Sequence, residues 1–319
     1  MNDLTIRAAR DTDLDEILAT LRLALGDTPV LRRTPELWAW KHQLNPFGRS
    51  IVLVSEAEGA IAGVRALMRW TLQGPDGMAI RCARPVDTAT HPEFTRRGVF
   101  RNLTMAAIET ARAEGVDLIF NTPNDKSAPG YLSMGWSHVS WIGVQARVRL
   151  GAAVAPPDRE PPSIDLMAPG ITDAESIPDP DPESHPLRLS TMMTPGYVDW
   201  RFRRHPTASY GWMGDDTDPG GVVARASTRG RYSELVISHI FGNPSPRVIR
   251  EIARVARTRY LAGWFSPGSR ARSIATRGGL LPIPRARTLR LVALPLTELG
   301  LDPLDLASWQ LSTSDLELL

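Results

Sequence analysis

The stretch "ATHPEFTRRGVFRNLTMAAIETARAEG", residues 89–115, decides how the rest of the chain is read. A proline-punctuated turn carrying Arg96, Arg97 and Gly98 runs directly into an apolar-periodic segment, which predicts a helix over 99–114. A helix start exposes unpaired backbone N–H groups and a partial positive charge, and is therefore suited to an anion. Gly98 lets a bulky anion approach the backbone, and a diphosphate is the natural occupant. Taken alone, however, a solvated helix start with two surface arginines explains the motif better.

The segments around this loop set the fold class. "LTIRAA" alternates as a first strand does, and "RDTDLDEILATLRLALGD" places Leu14, Ile17, Leu18, Leu21 and Leu25 on one helical face behind Thr12, Asp13, Asp15 and Glu16. "SIVLVSEAEGAIAGVRALMRWTL" reads as two strands about a turn at Glu58 and Gly59, and "GMAIRCARPVDTAT" as a third strand leading into the loop. "VDLIFNTPN" then reads as a short buried strand, "SAPGYLSMGW" as a turn and short helix ending at Gly135, and "SHVSWIGVQARVRL" as one closing strand. This order predicts a mixed α/β domain over residues 1–150.

Nine prolines between 151 and 190 predict a linker over 151–187. Beyond it the chain echoes itself. "TPELWAWKHQLNP" (34–46) and "TPGYVDWRFRRHP" (194–206) share the opening Thr-Pro, the pairs Trp40-Lys41 and Trp200-Arg201, and the closing proline, 160 residues apart. A duplicated domain accounts for the echo. Residues 188–319 are accordingly expected to repeat the first domain, including a helix over 246–260 with Ile249, Ile252, Ala253, Ala256 and Tyr260 on one face. Arginines 247, 250, 254 and 257 fall on another face.

Composition narrows the function classes. The chain of 319 residues suits two domains, and no apolar run nears the ~18 residues of a membrane span. The N-terminus lacks a basic region followed by an apolar one, so no secretion signal is expected, and a reducing cytoplasm fits the single cysteine. Cys82, inside a strand-like run, reads as a small buried hydrophobe rather than a nucleophile. Six histidines without ligand spacing imply no metal. Residues 188–290 hold 18 basic and 6 acidic side chains, a net +12 within a chain of net +2. A solvated face is the default reading of that excess, and a surface for an anionic acceptor or nucleic acid is the alternative.

The segment "HPEFTRRGVF" resembles the acyl-CoA-binding loop of the GNAT N-acetyltransferase superfamily, with Gly98 as its first glycine. Thr95 stands where that pattern has Arg or Gln, and Phe100 where it has Gly or Ala. The resemblance implies an acyl-CoA N-acyltransferase fold in tandem: a catalytic GNAT-like mixed-sheet domain over 1–150 and a degenerate copy over 188–319 without CoA binding. Thr95, Arg96, Arg97, Gly98, Val99, Phe100 and Arg101 would cradle the pyrophosphate of acetyl-CoA. Asn121 ends the strand that splays from its neighbour to admit pantetheine, and Thr88, Ala89 and Thr90 match the strand that offers backbone N–H to the thioester carbonyl. "GYLSMGW" resembles the short helix closing this core, so Tyr131 occupies the position whose phenol protonates the departing thiolate. The implied reaction is direct attack of an acceptor amine on the thioester. Asp87 and Glu93 are the candidate bases, ahead of His91.

The acceptor implied is a small-molecule amine, with anionic acceptors included. Two other functions fit parts of the pattern: tRNA-dependent aminoacyl transfer of the Fem type, which also pairs two GNAT-like domains, and a non-catalytic module binding acyl-CoA or nucleic acid. A membrane partner is not expected, and acyl length and oligomeric state are left open by the sequence.

Overall fold

The computed structural model describes residues 4–27, 32–149, 168–180, 187–216, 220–229, 232–284 and 289–316. The first half contains β1 (Thr5–Ala8), α1 (Leu14–Leu25), α2 (Pro35–His42), β2 (Ile51–Ala57), β3 (Ala60–Gln73), β4 (Ala79–Thr90), α3 (Val99–Ala113), β5 (Leu118–Asn121), α4 (Ala128–Ser133), β6 (Ser137–Ile142) and β7 (Gln145–Val148). The second half contains β8 (Thr172–Asp173), β9 (Ser190–Thr191), α5 (Pro195–Val198), β10 (Tyr210–Gly214), β11 (Gly220–Arg229) and β12 (Tyr232–Gly242). After these come α6 (Arg247–Val255), β13 (Tyr260–Gly263), α7 (Arg270–Arg277), β14 (Leu281–Pro282), β15 (Leu289–Pro295) and α8 (Thr313–Leu316). Among the described residues no helix is long and apolar enough to cross a membrane.

The chain divides into two compact units, Met1–Ser140 with Arg290–Leu304, and Trp141–Leu289 with Asp305–Leu319. In the first, strands run in the order β1-β2-β3-β4-β5-β15-β6. β1 to β4 pair antiparallel, β4 and β5 parallel, and β5 and β15 antiparallel. Alternation along β2 sends Leu53 to one face and Val54 to the other. Leu53 joins Val99, Leu103, Ala107, Ile108 and Ala111 of α3, while Val54 joins Ile17, Leu18 and Leu21 of α1. These are the apolar faces that helical periodicity predicts for the two helices.

The second unit repeats the strand order slot for slot, β8-β10-β11-β12-β13-β7-β14. The parallel pair β12·β13 matches β4·β5, with α6 in the place of α3. In both units the strand beside the parallel pair comes from the opposite half of the chain: β15 lies beside β5, and β7 beside β13. The segment 137–150 is therefore not one closing strand. It breaks at Gly143-Val144, and β6 and β7 belong to different sheets.

The echoed phrases have equivalent local structure. Thr34 Oγ1 accepts from Leu37 N–H at 3.2 Å and Thr194 Oγ1 from Tyr197 N–H at 3.1 Å, each with proline next in the helix. That is the physical content of a Thr-Pro helix start, an N-cap hydroxyl followed by a residue with no N–H to satisfy. Of the expected linker, residues 151–167 and 181–186 lie outside the described residues, and Thr172–Asp173 forms the edge strand paired with Gly211 and Trp212. The helix expected over 246–260 stops at Val255. Ala256 turns extended (φ −57°, ψ 139°), because the chain must reach the register Glu234↔Tyr260 of the parallel pair four residues later.

Candidate active site

β4 and β5 pair only at Cys82↔Leu118 and Ala83↔Ile119. Beyond that point β4 runs on to Thr90, while Phe120 and Asn121 bond away from it, to Ala293 and Val292 of β15. The strands thus splay, and among the described residues no strand pairs with that edge of β4 over 85–90. His91 N–H bonds Ala62 O at 2.9 Å across to β3. Antiparallel alternation then commits the Ala89 N–H to β3 and directs those of Thr88 and Thr90 to the open edge. The Asn121 amide oxygen accepts from the Thr122 N–H at 2.8 Å, so that side chain holds its own turn.

The open edge leads into the loop. Arg96 (φ 63°) and Gly98 (φ 81°) are left-handed, which coils residues 95–98 tightly before α3. Gly98 O accepts the first intrahelical bond, from Asn102 N–H at 3.0 Å, so the N–H groups of Val99, Phe100 and Arg101 lie ahead of the helical ladder. α3 starts close against β3 because Gly63 has no side chain: a Cβ there would lie 2.5 Å from Val99 Cγ1. Thr95 Oγ1 donates to Pro92 O at 3.0 Å. Arg97 is drawn aside, its guanidinium 4.9 Å from the Phe94 ring centre and 3.6 Å from Glu58 Oε1. Arg96 and Arg101 are exposed at the loop and the first turn.

A bulge in β4 shapes the other side of the site. Val64 pairs with Ala89 but Ala66 with Val86, so Asp87 and Thr88 together oppose Arg65. Asp87, itself left-handed at φ 42°, meets α2, whereas Thr88 meets Arg65. The buried Asp87 carboxylate receives Lys41 Nζ at 3.0 Å and His42 Nε2 at 3.1 Å. Burial works to raise its proton affinity, but the Lys41 charge and the His42 hydrogen bond prevail and hold it well below the usual carboxylate range. With Nε2–H donated to Asp87, His42 Nδ1 is left to accept from Ser50 Oγ at 2.9 Å.

His42 is pushed below the ordinary histidine range by burial, helped by Lys41 and opposed by Asp87. In the second unit His239 is lowered in the same direction, by burial first. Both imidazoles stay neutral in the folded chain at pH values where the unfolded chain protonates them, so stability falls as pH drops below about 6.5. Urea unfolding between pH 7.5 and 5.5 is expected to show this loss, approaching about 1.4 kcal/mol per pH unit per histidine. His42→Asn is expected to flatten the slope, and an unchanged slope would place the acid sensitivity elsewhere.

Tyr131, on α4, is 3% exposed. Its ring stands edge-on to Phe100 and Trp136, at centre distances of 5.6 and 5.1 Å. Its hydroxyl oxygen accepts from Arg65 Nη1 at 3.0 Å. Phe100 gives the loop its backbone only. Its side chain turns onto α4 against Gly130, where a Cβ would meet the ring at 2.9 Å. The fold thus brings Thr88, Phe100 and Tyr131 together around Arg65, puts Asp87 with α2, and leaves Glu93 exposed on the turn Pro92–Phe94. Cys82 is fully buried, and burial pushes its thiol far above the ordinary range. Sequence reasoning did not single out Arg65, Lys41 or His42 as site residues, although a charged side chain inside the apolar run "AIAGVRALM" is itself a signal.

In the second unit the matching gap is occupied. β12 and β13 pair from Glu234 to Ile237, and past that point the chain's own residues 311–314 run alongside Trp264–Ser266. Ser266 N–H bonds Leu311 O at 2.9 Å, and Trp264 N–H bonds Thr313 Oγ1 at 2.7 Å. On the β12 side Ser312 Oγ meets His239 Nδ1 at 3.0 Å. Arg201, the echo of Lys41, donates from Nη2 to Ser314 O at 3.1 Å.

The first unit thus combines a mixed sheet, a splayed parallel pair and a left-handed loop at a helix start beside the opening, a place where backbone N–H groups can meet an anion. Residues 5–139 match the family model described as "Acetyltransferase (GNAT) domain". That match spans residues 5–139 of the 319, and over them the chain is similar to GNAT acetyltransferases. Among solved structures, a GCN5-related N-acetyltransferase from Kribbella flavida superposes with TM-score 0.57 at 15% identity, covering 92% of this chain and 71% of that one. Another from Anabaena variabilis gives TM-score 0.55 at 14% identity, covering 91% and 72%. A conserved protein of unknown function from Enterococcus faecalis V583 gives TM-score 0.59 at 10% identity, covering 92% and 73%. At these identities the likeness establishes the fold. No curated protein sequence matches this chain.

Proposed function

We propose that the first unit transfers the acetyl group of acetyl-CoA directly to the amine of a small acceptor. The observation that carries this reading is the open edge of β4, which leads into a helix start with three N–H groups ahead of its ladder. Pantetheine lies along the edge, and the diphosphate meets the N–H groups of 99–101 with Arg96 and Arg101. The thioester oxygen takes hydrogen bonds from the Thr88 or Thr90 N–H, a contribution of about 3 kcal/mol in comparable acyl transfers. The amine nitrogen bonds to the carbonyl carbon, the C–S bond breaks, and the Tyr131 hydroxyl gives its proton to the leaving sulfur. The acceptor ammonium, held by the Asp87 carboxylate that Lys41 and His42 keep ionised, gives one proton to water before attack, and its nitrogen gives a second to water as the C–S bond breaks. Glu93, open to solvent, is the alternative proton acceptor. With residues 311–314 in the matching gap of the second unit, the chain takes one acetyl-CoA.

Calorimetric titration of the full chain with acetyl-CoA tests this. A micromolar Kd with one site per chain is expected, weakened at least about tenfold, or roughly 1.4 kcal/mol, in an Arg96→Glu/Arg101→Glu variant. Thiol release with a panel of neutral and phosphorylated primary amines then identifies the acceptor class. No binding of acetyl-CoA would overturn the reading, and binding of aminoacyl-tRNA in its place would favour aminoacyl transfer.

A further inference from the structure

Arg65 is 0% exposed, and no carboxylate among the described residues lies within ion-pair distance of it. Its guanidinium sits 5.1 Å from the Tyr131 ring centre and 5.6 Å from that of Phe100. Nη1 donates to Tyr131 Oη at 3.0 Å and reaches Thr88 Oγ1 at 3.4 Å, while Nε and Nη2 have no partner. A buried cation with neutral acceptors and two idle donors is a costly arrangement, and nothing in the packing of β3 calls for it. A methionine of similar length would fill the same space without that cost.

We infer that Arg65 is the positioning residue of the acyl transfer: it orients the Tyr131 hydroxyl and receives the negative charge left there when the proton moves to the CoA sulfur. The inference rests on the reaction proposed above. Arg65 occupies a lone pair of Tyr131 Oη, so the hydroxyl hydrogen cannot point at Arg65 and is directed elsewhere, free for the sulfur. When the O–H bond breaks and the S–H bond forms, the phenolate oxygen stands 3.0 Å from a cation already in place and already desolvated. No reorganisation is needed at that moment, which is the condition under which a charged donor favours a transition state over the ground state. Water returns the proton to Oη after the product leaves. The Phe100 ring, turned onto α4, covers the guanidinium and excludes solvent from the pair.

The test compares Arg65→Met, Arg65→Lys, Tyr131→Phe and the double variant Arg65→Met/Tyr131→Phe in the full chain. Melting temperature, acetyl-CoA affinity by calorimetry and thiol release from acetyl-CoA, with the best amine or with water as acceptor, are read for each. Arg65→Met is expected to melt at or above the wild-type temperature and bind acetyl-CoA within about threefold of wild type. Its turnover is expected to be about 10²-fold slower. Arg65→Lys recovers part of that loss, and the double variant is no slower than Tyr131→Phe, because Arg65 acts only through the phenol. Full turnover in Arg65→Met, losses that multiply in the double variant, or a melting temperature lowered by more than about 5 °C with turnover lost in proportion would overturn the inference. A wild-type chain that neither binds nor cleaves acetyl-CoA would instead remove the proposed reaction, and this inference with it.

Discussion

Phenylalanine at position 131 is expected to leave acetyl-CoA binding within about twofold and to slow acyl transfer by about 10²- to 10³-fold, within the range of positioned general acids. The substitution is clean in packing terms. The edge-on contacts with Phe100 and Trp136 involve the ring and survive it, so only the hydroxyl and its bond from Arg65 are lost. Losing that acceptor leaves Nη1 of a buried guanidinium with only the long contact to Thr88 Oγ1 at 3.4 Å, and a stability loss of about 1–3 kcal/mol accompanies the change. Steady-state thiol release beside calorimetry separates the two effects. Unchanged turnover would show that the thiolate leaves unassisted and that Tyr131 serves the core alone.

The second large effect is one of stability. Asp87→Asn keeps the shape but leaves Lys41, whose side chain is 5% exposed, without its counter-charge. Removing one partner of a buried ion pair costs about 3–5 kcal/mol, because the remaining charge stays desolvated. In a chain of this size that lowers the melting temperature by roughly 10 °C. Adding Lys41→Met is expected to recover most of the loss, since the stranded cation is then gone. The sign of the pH dependence follows from the lowered Asp87 carboxyl. Its stabilisation is present above the unfolded-state value near 4 and is lost only as pH falls below it, so the gap between wild type and variant stays constant from pH 5 to 8. A gap that closes by pH 6 would mean that Asp87 is not ionised in the fold.

Local chemistry was legible in the sequence, and pairing at a distance was not. α1, α3, the glycine loop and the Tyr131 helix each rest on spacing within a few residues; Ile17, Leu18 and Leu21 of α1 are buried as periodicity requires, whereas Leu25, placed on the same face, is 49% exposed in the last turn. Periodicity gives no indication of which strand lies beside which, so the exchange of β7 and β15 had no signal in 137–150, where alternation simply continues across the break. The partners of Asp87 lie 45 and 46 residues away, and Arg65 lies 66 residues from Tyr131. Phe100 was readable as a departure from the family pattern, but the direction of its ring depends on Gly130 of another helix.

The exchange of strands also sets a timetable for synthesis. The edge of β5 that pairs with Leu289–Pro295 emerges near residue 121 and waits for its partner until Leu289–Pro295 has been made. At about 5–20 residues per second the ribosome leaves that edge uncovered for roughly 10–30 s. A half-chain released at the proline-rich segment would carry an unfinished sheet and an apolar rim, and would be a client for chaperones before it was an enzyme.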